Sequence, residues 1–377
     1  MKRDKLLVVI DPLPTGFSVQ FKFVSSLIKE LSVRYQVTVY SNFISNKKIE
    51  ALQSQNSTVI LKKGNKLSDL VKNVFFKKLN ESLLWGINWF LDIISYKVKK
   101  NQIQTFSEGY DYIINLSSTI ICKSDMLWFQ GPPFINVVQS MVSTNMFARL
   151  FLKLFRLPLG NSSKFLTNML VSSSEKVVAN SKYIADEYES IGIKVDDVIY
   201  SSNAFDNFIP IIKTRSTKYV LSYLGKETDI EALLKLSRQN IRITAFGSKI
   251  PPGMNIVKIK SFINYVGAVS EKELIRLYNE ALFVAFPFTN EPFGWIPIEA
   301  MLCGKPVLTY NKQGPSETVI NGITGWLVAS QEEFITKAIE LWHMDTINIE
   351  ERNCVDRGHE FTIYNTISKL QKLIEGN

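Results

Sequence analysis

In both halves of this chain, short β-branched runs alternate with amphipathic stretches of helical length, and that alternation constrains the fold more than any other feature. In the first half the runs are Leu6–Ile10, Gln36–Tyr40, Tyr112–Asn115 and Lys176–Ala179. Helical segments such as Ser18–Leu31 separate them, with Phe23, Leu27, Ile28 and Leu31 falling on one face at helical spacing. The second half repeats the scheme with Lys218–Tyr223, Ile241–Ala245, Leu282–Phe286 and Val307–Tyr310. Strands that alternate with helices read as parallel sheets covered by helices. At 377 residues the chain exceeds what one core usually organises, so two doubly wound α/β domains are predicted, joined near the polar stretch Asn203–Thr217. The expected boundaries are 1–205, 206–360 and a C-terminal helix, 361–377, that crosses back to the first domain.

Composition removes several classes. With 46% hydrophobic and 21% charged residues the chain can bury enough apolar surface to fold. Leu6–Ile10 is five residues long and ends at Asp11-Pro12, too short for a secretory leader. Leu83–Ile94 is interrupted by Asn88 and Asp92 and falls short of the roughly 20 residues that cross a bilayer. Cys122, Cys303 and Cys354 have no paired spacing, and His343 and His359 do not complete a zinc pattern with Cys354. These features point to a cytoplasmic protein with no metal site. The net charge of +9 is uneven: residues 1–210 hold 25 Lys+Arg against 17 Asp+Glu, and the remainder is nearly neutral. The first domain is therefore expected to meet something anionic, such as a phospholipid surface, a lipid pyrophosphate or nucleic acid.

The informative window follows Phe286. A strand ends at Pro287, a polar loop covers Thr289–Gly294, Pro297 suits a first helical turn, and Gly304 with Pro306 stops the helix. This places a loop and a helix start at the carboxyl edge of a parallel strand, where open α/β sheets bind ligands and where free N–H groups attract phosphate. Glu291 lies in the loop and Glu299 in the expected first turn, so two carboxylates reach different parts of one ligand and can accept bonds from the adjacent hydroxyls of a sugar or ribose. Taken singly, either glutamate is as well explained by the helix dipole or by solvation.

The run EPFGWIPIEAMLCGKPVL followed by GPSETVINGITGWLV resembles the signature of the retaining glycosyltransferases of GT-B fold marked by Glu-x7-Glu, here Glu291 and Glu299. These are the family 4-like or group 1 glycosyl transferases. Phe246-Gly247, Val266-Gly267-Ala268-Val269-Ser270 and Val178-Ala179-Asn180-Ser181 match as well, so the resemblance covers most of residues 176–375. It implies two Rossmann-like domains facing each other across a cleft, the first binding an acceptor and the second a nucleotide sugar. On this basis Glu291 contacts donor-sugar hydroxyls and supports the positive charge at the anomeric carbon. Glu299 holds the ribose diol. Phe293, Gly294 and Trp295 line sugar and phosphate through their backbones, Gly267 and Gly247 lie by the nucleotide, and Lys226 neutralises the diphosphate in place of a metal.

The sequence departs from the family in three places. LSYLGKETDIEAL supplies Lys226 and no second basic residue, leaving Arg242, Lys249 or a first-domain lysine as candidate partners of the diphosphate. DPLPTGFS offers only Gly16 for a close approach of backbone to phosphate. MLWFQGPP has Trp128 and Gln130, the acceptor candidates, where many relatives carry a histidine. The departing diphosphate then takes the acceptor proton, and catalysis rests on charge stabilisation and positioning.

On the acceptor side, residues 145–157 place Arg149, Lys153 and Arg156 on one stripe and apolar residues around the rest. This suits a membrane-surface helix or an ordinary core helix equally. Eleven lysines lie between Lys47 and Lys100. The expectation is a metal-independent transferase on the cytoplasmic membrane face, moving sugar from a UDP- or GDP-sugar to a glycan or a polyprenyl- or other lipid-linked acceptor, without nucleic acid. The alternative is a nucleotide-sugar-binding scaffold that has lost turnover. No nucleic-acid module and no G-x-G-x-x-G follows any strand.

Overall fold

The structure is a computed structural model and describes residues 3–11, 19–41, 44–61, 108–133, 161, 163–202, 205–211, 218–225, 227–247, 256–344 and 347–375. The chain forms two compact units. The first comprises Met1–Asn180, Ile184–Asn203 and Thr366–Asn377; the second comprises Ser181–Tyr183 and Ala204–Asn365.

In the first unit, β1 (Lys5–Val9), β2 (Gln36–Ser41), β3 (Thr58–Leu61), β4 (Tyr112–Asn115), β5 (Ser124–Phe129), β6 (Ser174–Ala179) and β7 (Asp197–Val198) form a sheet of order β3-β2-β1-β4-β5-β6-β7, parallel throughout. After Lys5, β1 is apolar because both faces of a covered parallel sheet are buried, and Leu6 to Val9 are almost wholly removed from solvent. Helix α1 (Val19–Arg34) covers one face with Phe23, Val24, Leu27, Ile28 and Leu31. Each such side chain contributes about 1.5–3 kcal/mol by leaving water. Helix α2 (Asn46–Gln53) leads into β3, and α3 (Lys182–Glu189) follows β6.

In the second unit, β8 (Val220–Tyr223), β9 (Ile243–Phe246), β10 (Asn264–Gly267), β11 (Val284–Phe286), β12 (Val307–Tyr310) and β13 (Gly325–Val328) run parallel in the order β10-β9-β8-β11-β12-β13. The order reverses direction at β8 and β11, which creates a topological switch point. The intervening helices are α4 (Ile230–Ser237), α5 (Ile256–Lys260), α6 (Glu271–Glu280), α7 (Trp295–Leu302), α8 (Pro315–Thr318) and α9 (Gln331–His343), followed by α10 (Glu351–His359). Their starts are written in the sequence. Asp229 caps α4 by accepting the Ala232 N–H, and Ser270 and Ser330 cap α6 and α9 in the same way.

The central strands fall where the alternation places them, and Tyr112–Asn115 and Val307–Tyr310 coincide residue for residue with the expected runs. The sequence reading omits β3, β5, β7, β10 and β13. Most of these lie at or next to a sheet edge and are short. β5 carries Met, Leu and Trp in place of β-branched residues, which blurs its pattern. The last helix, α11 (Ile363–Glu375), sends Thr366 Oγ1 to the Tyr200 carbonyl and Lys369 to Asp197, and its end meets Tyr35 and Arg34 through Glu375.

Among the described residues no helix is long and apolar enough to cross a membrane. The basic stretch 145–157, residues 62–107 of the lysine-rich region, Gly16, Lys226 and Lys249 lie outside the described residues.

Candidate functional site

The site is built at the carboxyl edge of the second sheet. β11 is buried and apolar, and the chain leaves it through Pro287 and Phe288 into the loop that carries Glu291. Gly294 ends that loop with φ +93, a left-handed conformation that glycine adopts without strain, and helix α7 starts at the next residue. Pro297 is accepted at the third helical position because its missing N–H would have no intrahelical partner there. Gly304, at φ +70, closes the helix.

Glu291 is half-buried, and its Oε1 accepts N–H bonds from Phe293 at 3.4 Å and Gly294 at 3.1 Å. This corrects one expectation: two N–H groups expected to be free for phosphate are turned onto the glutamate itself, because a carboxylate four residues before the helix start at Trp295 is the nearest anion available to them. Glu299 lies in the second turn of α7, not the first, since the helix begins at Trp295. Its Oε2 accepts a bond from Tyr278 Oη at 2.8 Å.

Tyr278 comes from α6 and is completely buried, and sequence reasoning missed it. On a helical wheel it belongs to the apolar face of α6, and nothing in its spacing marks a hydroxyl aimed at a carboxylate. Burial first, and then the charge of Glu299, drive its phenol well above the ordinary tyrosine range, so it remains a donor. Tyr223, at the end of β8, is likewise raised by burial and then by Glu227, Glu291 and Glu299, which puts both site carboxylates within electrostatic reach of one ring. Burial, with Glu299 second, pushes the Cys303 thiol up to about 12.

The neighbouring strands end on glycines of positive φ, and at Gly247 there is also no room for a side chain. Gly247 follows β9 at φ +145, and a Cβ there would sit 2.0 Å from the Leu224 carbonyl oxygen. Its N–H donates to the Gly267 carbonyl at 2.9 Å, and its own carbonyl accepts Tyr265 Oη at 2.6 Å. Gly247 and Gly267 therefore meet at the ends of β9 and β10, on the edge that also bears Glu291 and Glu299.

Two other candidates fall elsewhere. Arg242 immediately precedes β9, and its carbonyl receives the Val220 N–H at the start of β8, so it occupies the amino edge, opposite the carboxylates. Direction along the strand decides this, and a count of nearby basic residues ignores direction. Trp128, expected to face an acceptor, is a core residue of the first unit: it is 0% exposed, donates through Nε1 to the Ile199 carbonyl at 3.2 Å and packs edge-on to Phe23. Its position inside β5 explains the difference. Gln130, just past that strand, is half-buried and accepts Ser201 Oγ at 2.6 Å.

The first unit also holds an acid that the sequence reading did not single out. Asp11 follows β1 and is 6% exposed; it accepts bonds from Ser117 Oγ at 2.6 Å, Ser118 Oγ at 2.7 Å, the Ser118 N–H at 3.1 Å and Thr119 Oγ1 at 3.3 Å. Burial raises its carboxyl above the usual aspartate value in spite of those bonds.

With this geometry established, comparison with known proteins is informative. Residues 254–360, which contain both glutamates, match the family described as glycosyl transferases group 1. That segment belongs to the group 1 glycosyl transferases. The chain is similar to the alpha-1,3/1,6-mannosyltransferase alg-2 of Neurospora crassa, with 34% identity over 116 residues, 31% of this chain and 18% of the relative. It is similar to mouse alpha-1,3/1,6-mannosyltransferase ALG2 at 22% over 226 residues, 50% of this chain and 54% of the relative. The matched stretch thus spans about half or less of these curated relatives. Among solved structures, Anabaena HepE in complex with UDP-glucose aligns with TM-score 0.62 and 16% identity, over 99% of this chain and 100% of that one. Sucrose-phosphate synthase from Thermosynechococcus elongatus aligns with TM-score 0.66 and 14% identity, over 99% of each chain. These likenesses show the GT-B fold, two Rossmann-like parallel sheets in one chain.

Proposed function

We propose that this group 1 glycosyl transferase moves a sugar, with retention of configuration, from a UDP- or GDP-sugar to a glycan or lipid-linked acceptor, without a metal. The observation that carries the reading is the pair of carboxylates at one sheet edge, one on the loop after β11 and the other on the helix that loop starts. The relatives named as mannosyltransferases and the neighbour holding UDP-glucose support a sugar-nucleotide donor.

In this reading the donor lies along the carboxyl edge. Glu299, held by Tyr278, accepts the ribose hydroxyls. Glu291 faces the hexose and stabilises the charge that develops as the bond from the anomeric carbon to the diphosphate oxygen breaks. Lys226 faces the departing diphosphate, which takes the acceptor's proton on the same face. Preorganised charge of this kind supplies the larger part of many enzymatic rate enhancements. Gly247 and Gly267 leave room for the nucleotide where side chains would intrude. The basic first half binds the acceptor and an anionic membrane surface, with Gly16 by the phosphates and Gln130 by the acceptor.

A thermal-shift panel of UDP, GDP, UDP-glucose and GDP-mannose tests the reading, because a ligand bound only by the folded state raises its stability. A shift with one nucleotide and release of that nucleotide from its sugar, lost in Glu291→Ala, is expected. A shift without any turnover would support a binding scaffold, and no shift with any of the four would remove the proposal.

A further inference from the structure

The main chain of Glu291 is gripped from both sides by the loop between β12 and α8. The carboxamide Oε1 of Gln313 accepts the Glu291 N–H at 2.8 Å, and the Gly314 N–H donates to the Glu291 carbonyl at 3.2 Å. The other end of the carboxamide is engaged too: Nε2 donates to Tyr183 Oη at 3.3 Å, in the segment Ser181–Tyr183 that groups with this unit. This second bond fixes which end of the side chain faces Glu291. The approach is tight, since a Cβ on Gly314 would lie 2.3 Å from the Phe293 Cα.

Gln313 itself adopts φ +54, in the left-handed region. For a residue with a Cβ that conformation costs on the order of 1 kcal/mol, and glycine would relieve it. Strain retained at a residue whose side chain spans from Tyr183 to the Glu291 amide indicates that the carboxamide has a use the backbone alone does not explain.

We infer that Gln313 is a positioning residue for Glu291, holding the backbone of the donor loop so that the Glu291 carboxylate stays aimed at the donor sugar. This rests on the reading of Glu291 given above. Gln313 touches no reacting atom and acts only through the loop.

The test separates positioning from folding, because Gln313→Gly removes the carboxamide and relaxes the backbone together. The full chain is assayed for release of UDP from UDP-glucose and of GDP from GDP-mannose, for melting temperature, and for hydrogen exchange by mass spectrometry in peptides covering residues 289–295. Gln313→Gly should melt at or above the wild-type temperature. It should exchange faster in 289–295 and lose about tenfold to a hundredfold in kcat, while KM for the donor stays within about twofold. Gln313→Glu, which still offers an oxygen to the Glu291 N–H, should recover the exchange protection and part of kcat. Wild-type exchange or wild-type kcat in Gln313→Gly overturns the inference, as does an equal loss in Gln313→Glu. If the wild-type protein turns over neither sugar nucleotide, the functional reading fails, and the exchange comparison still decides whether Gln313 holds the loop.

Discussion

Both sheets place a carboxylate just beyond the carboxyl end of a central strand, and they treat it in opposite ways. Asp11, after β1, is sealed from solvent and surrounded by hydroxyls and an N–H from the single segment Ser117–Thr119. Glu291, after β11, keeps part of its surface open, and its carboxylate accepts backbone N–H groups at 3.1 and 3.4 Å. A saturated, buried acid acts as a tie between β1 and the loop after β4. An acid that is partly exposed and accepts N–H groups at a helix start can exchange those partners for a ligand. The same topological position thus serves stability in one unit and is available for chemistry in the other.

That contrast can be broken by mutation, and the largest effect should come from the second edge. Glu291→Ala is expected to lower kcat by about a hundredfold to a thousandfold, while unfolding free energy falls by only about 1 kcal/mol from the lost bonds at the helix start. Denaturant melts beside turnover assays check both halves of that statement.

Asp11→Ala should show the reverse emphasis, losing about 3 kcal/mol of stability because several buried donors lose their acceptor together. Asp11→Asn should lose less, since rotated hydroxyls can bond to an amide. The two Asp11 variants also differ in pH response. Burial raises the Asp11 carboxyl above its ordinary 3.8, so its contribution to stability is complete below that pH and declines as pH rises through the folded value. A neutral Asn should flatten that decline, as chemical melts between about pH 4 and pH 7 would show.

Gly247→Ala should cost about 2 kcal/mol in unfolding free energy, because both its φ of +145° and the Leu224 carbonyl exclude a methyl group. The smallest effect is assigned to Tyr278→Phe. Removing the hydroxyl that orients Glu299 should weaken nucleotide binding about fivefold, measurable by calorimetry, with little change in kcat.

Much of this arrangement was legible before any coordinates. The runs that became β1, β4, β11 and β12 are mostly apolar and are buried over most of their length, with Asn115 and Thr309 as buried polar exceptions, so their signal is strong. The loop, the Gly294 turn and the helix with Gly304 at its end follow from local backbone chemistry, which a sequence records directly. Edge strands such as β10, half exposed and ending in glycine, carry little periodic signal. Partnership across the fold was the part that sequence could not supply. Tyr278 reaches Glu299 from another helix, Asp11 meets a loop more than a hundred residues away, and Arg242 differs from a useful cation only by standing at the wrong end of a strand. The helix start shows the same limit in miniature. With α7 beginning at Trp295, Glu299 falls in the second turn and not the first, where it accepts Tyr278 Oη.

The division of labour between the two glutamates is open to one direct measurement, calorimetric titration of UDP and GDP into the wild-type protein, Glu291→Ala and Glu299→Ala. The nucleotide that binds should lose about tenfold or more in affinity with Glu299→Ala and stay within about twofold with Glu291→Ala, because only the former is assigned to the ribose. Equal affinity across all three proteins, or a loss confined to Glu291→Ala, would contradict the account.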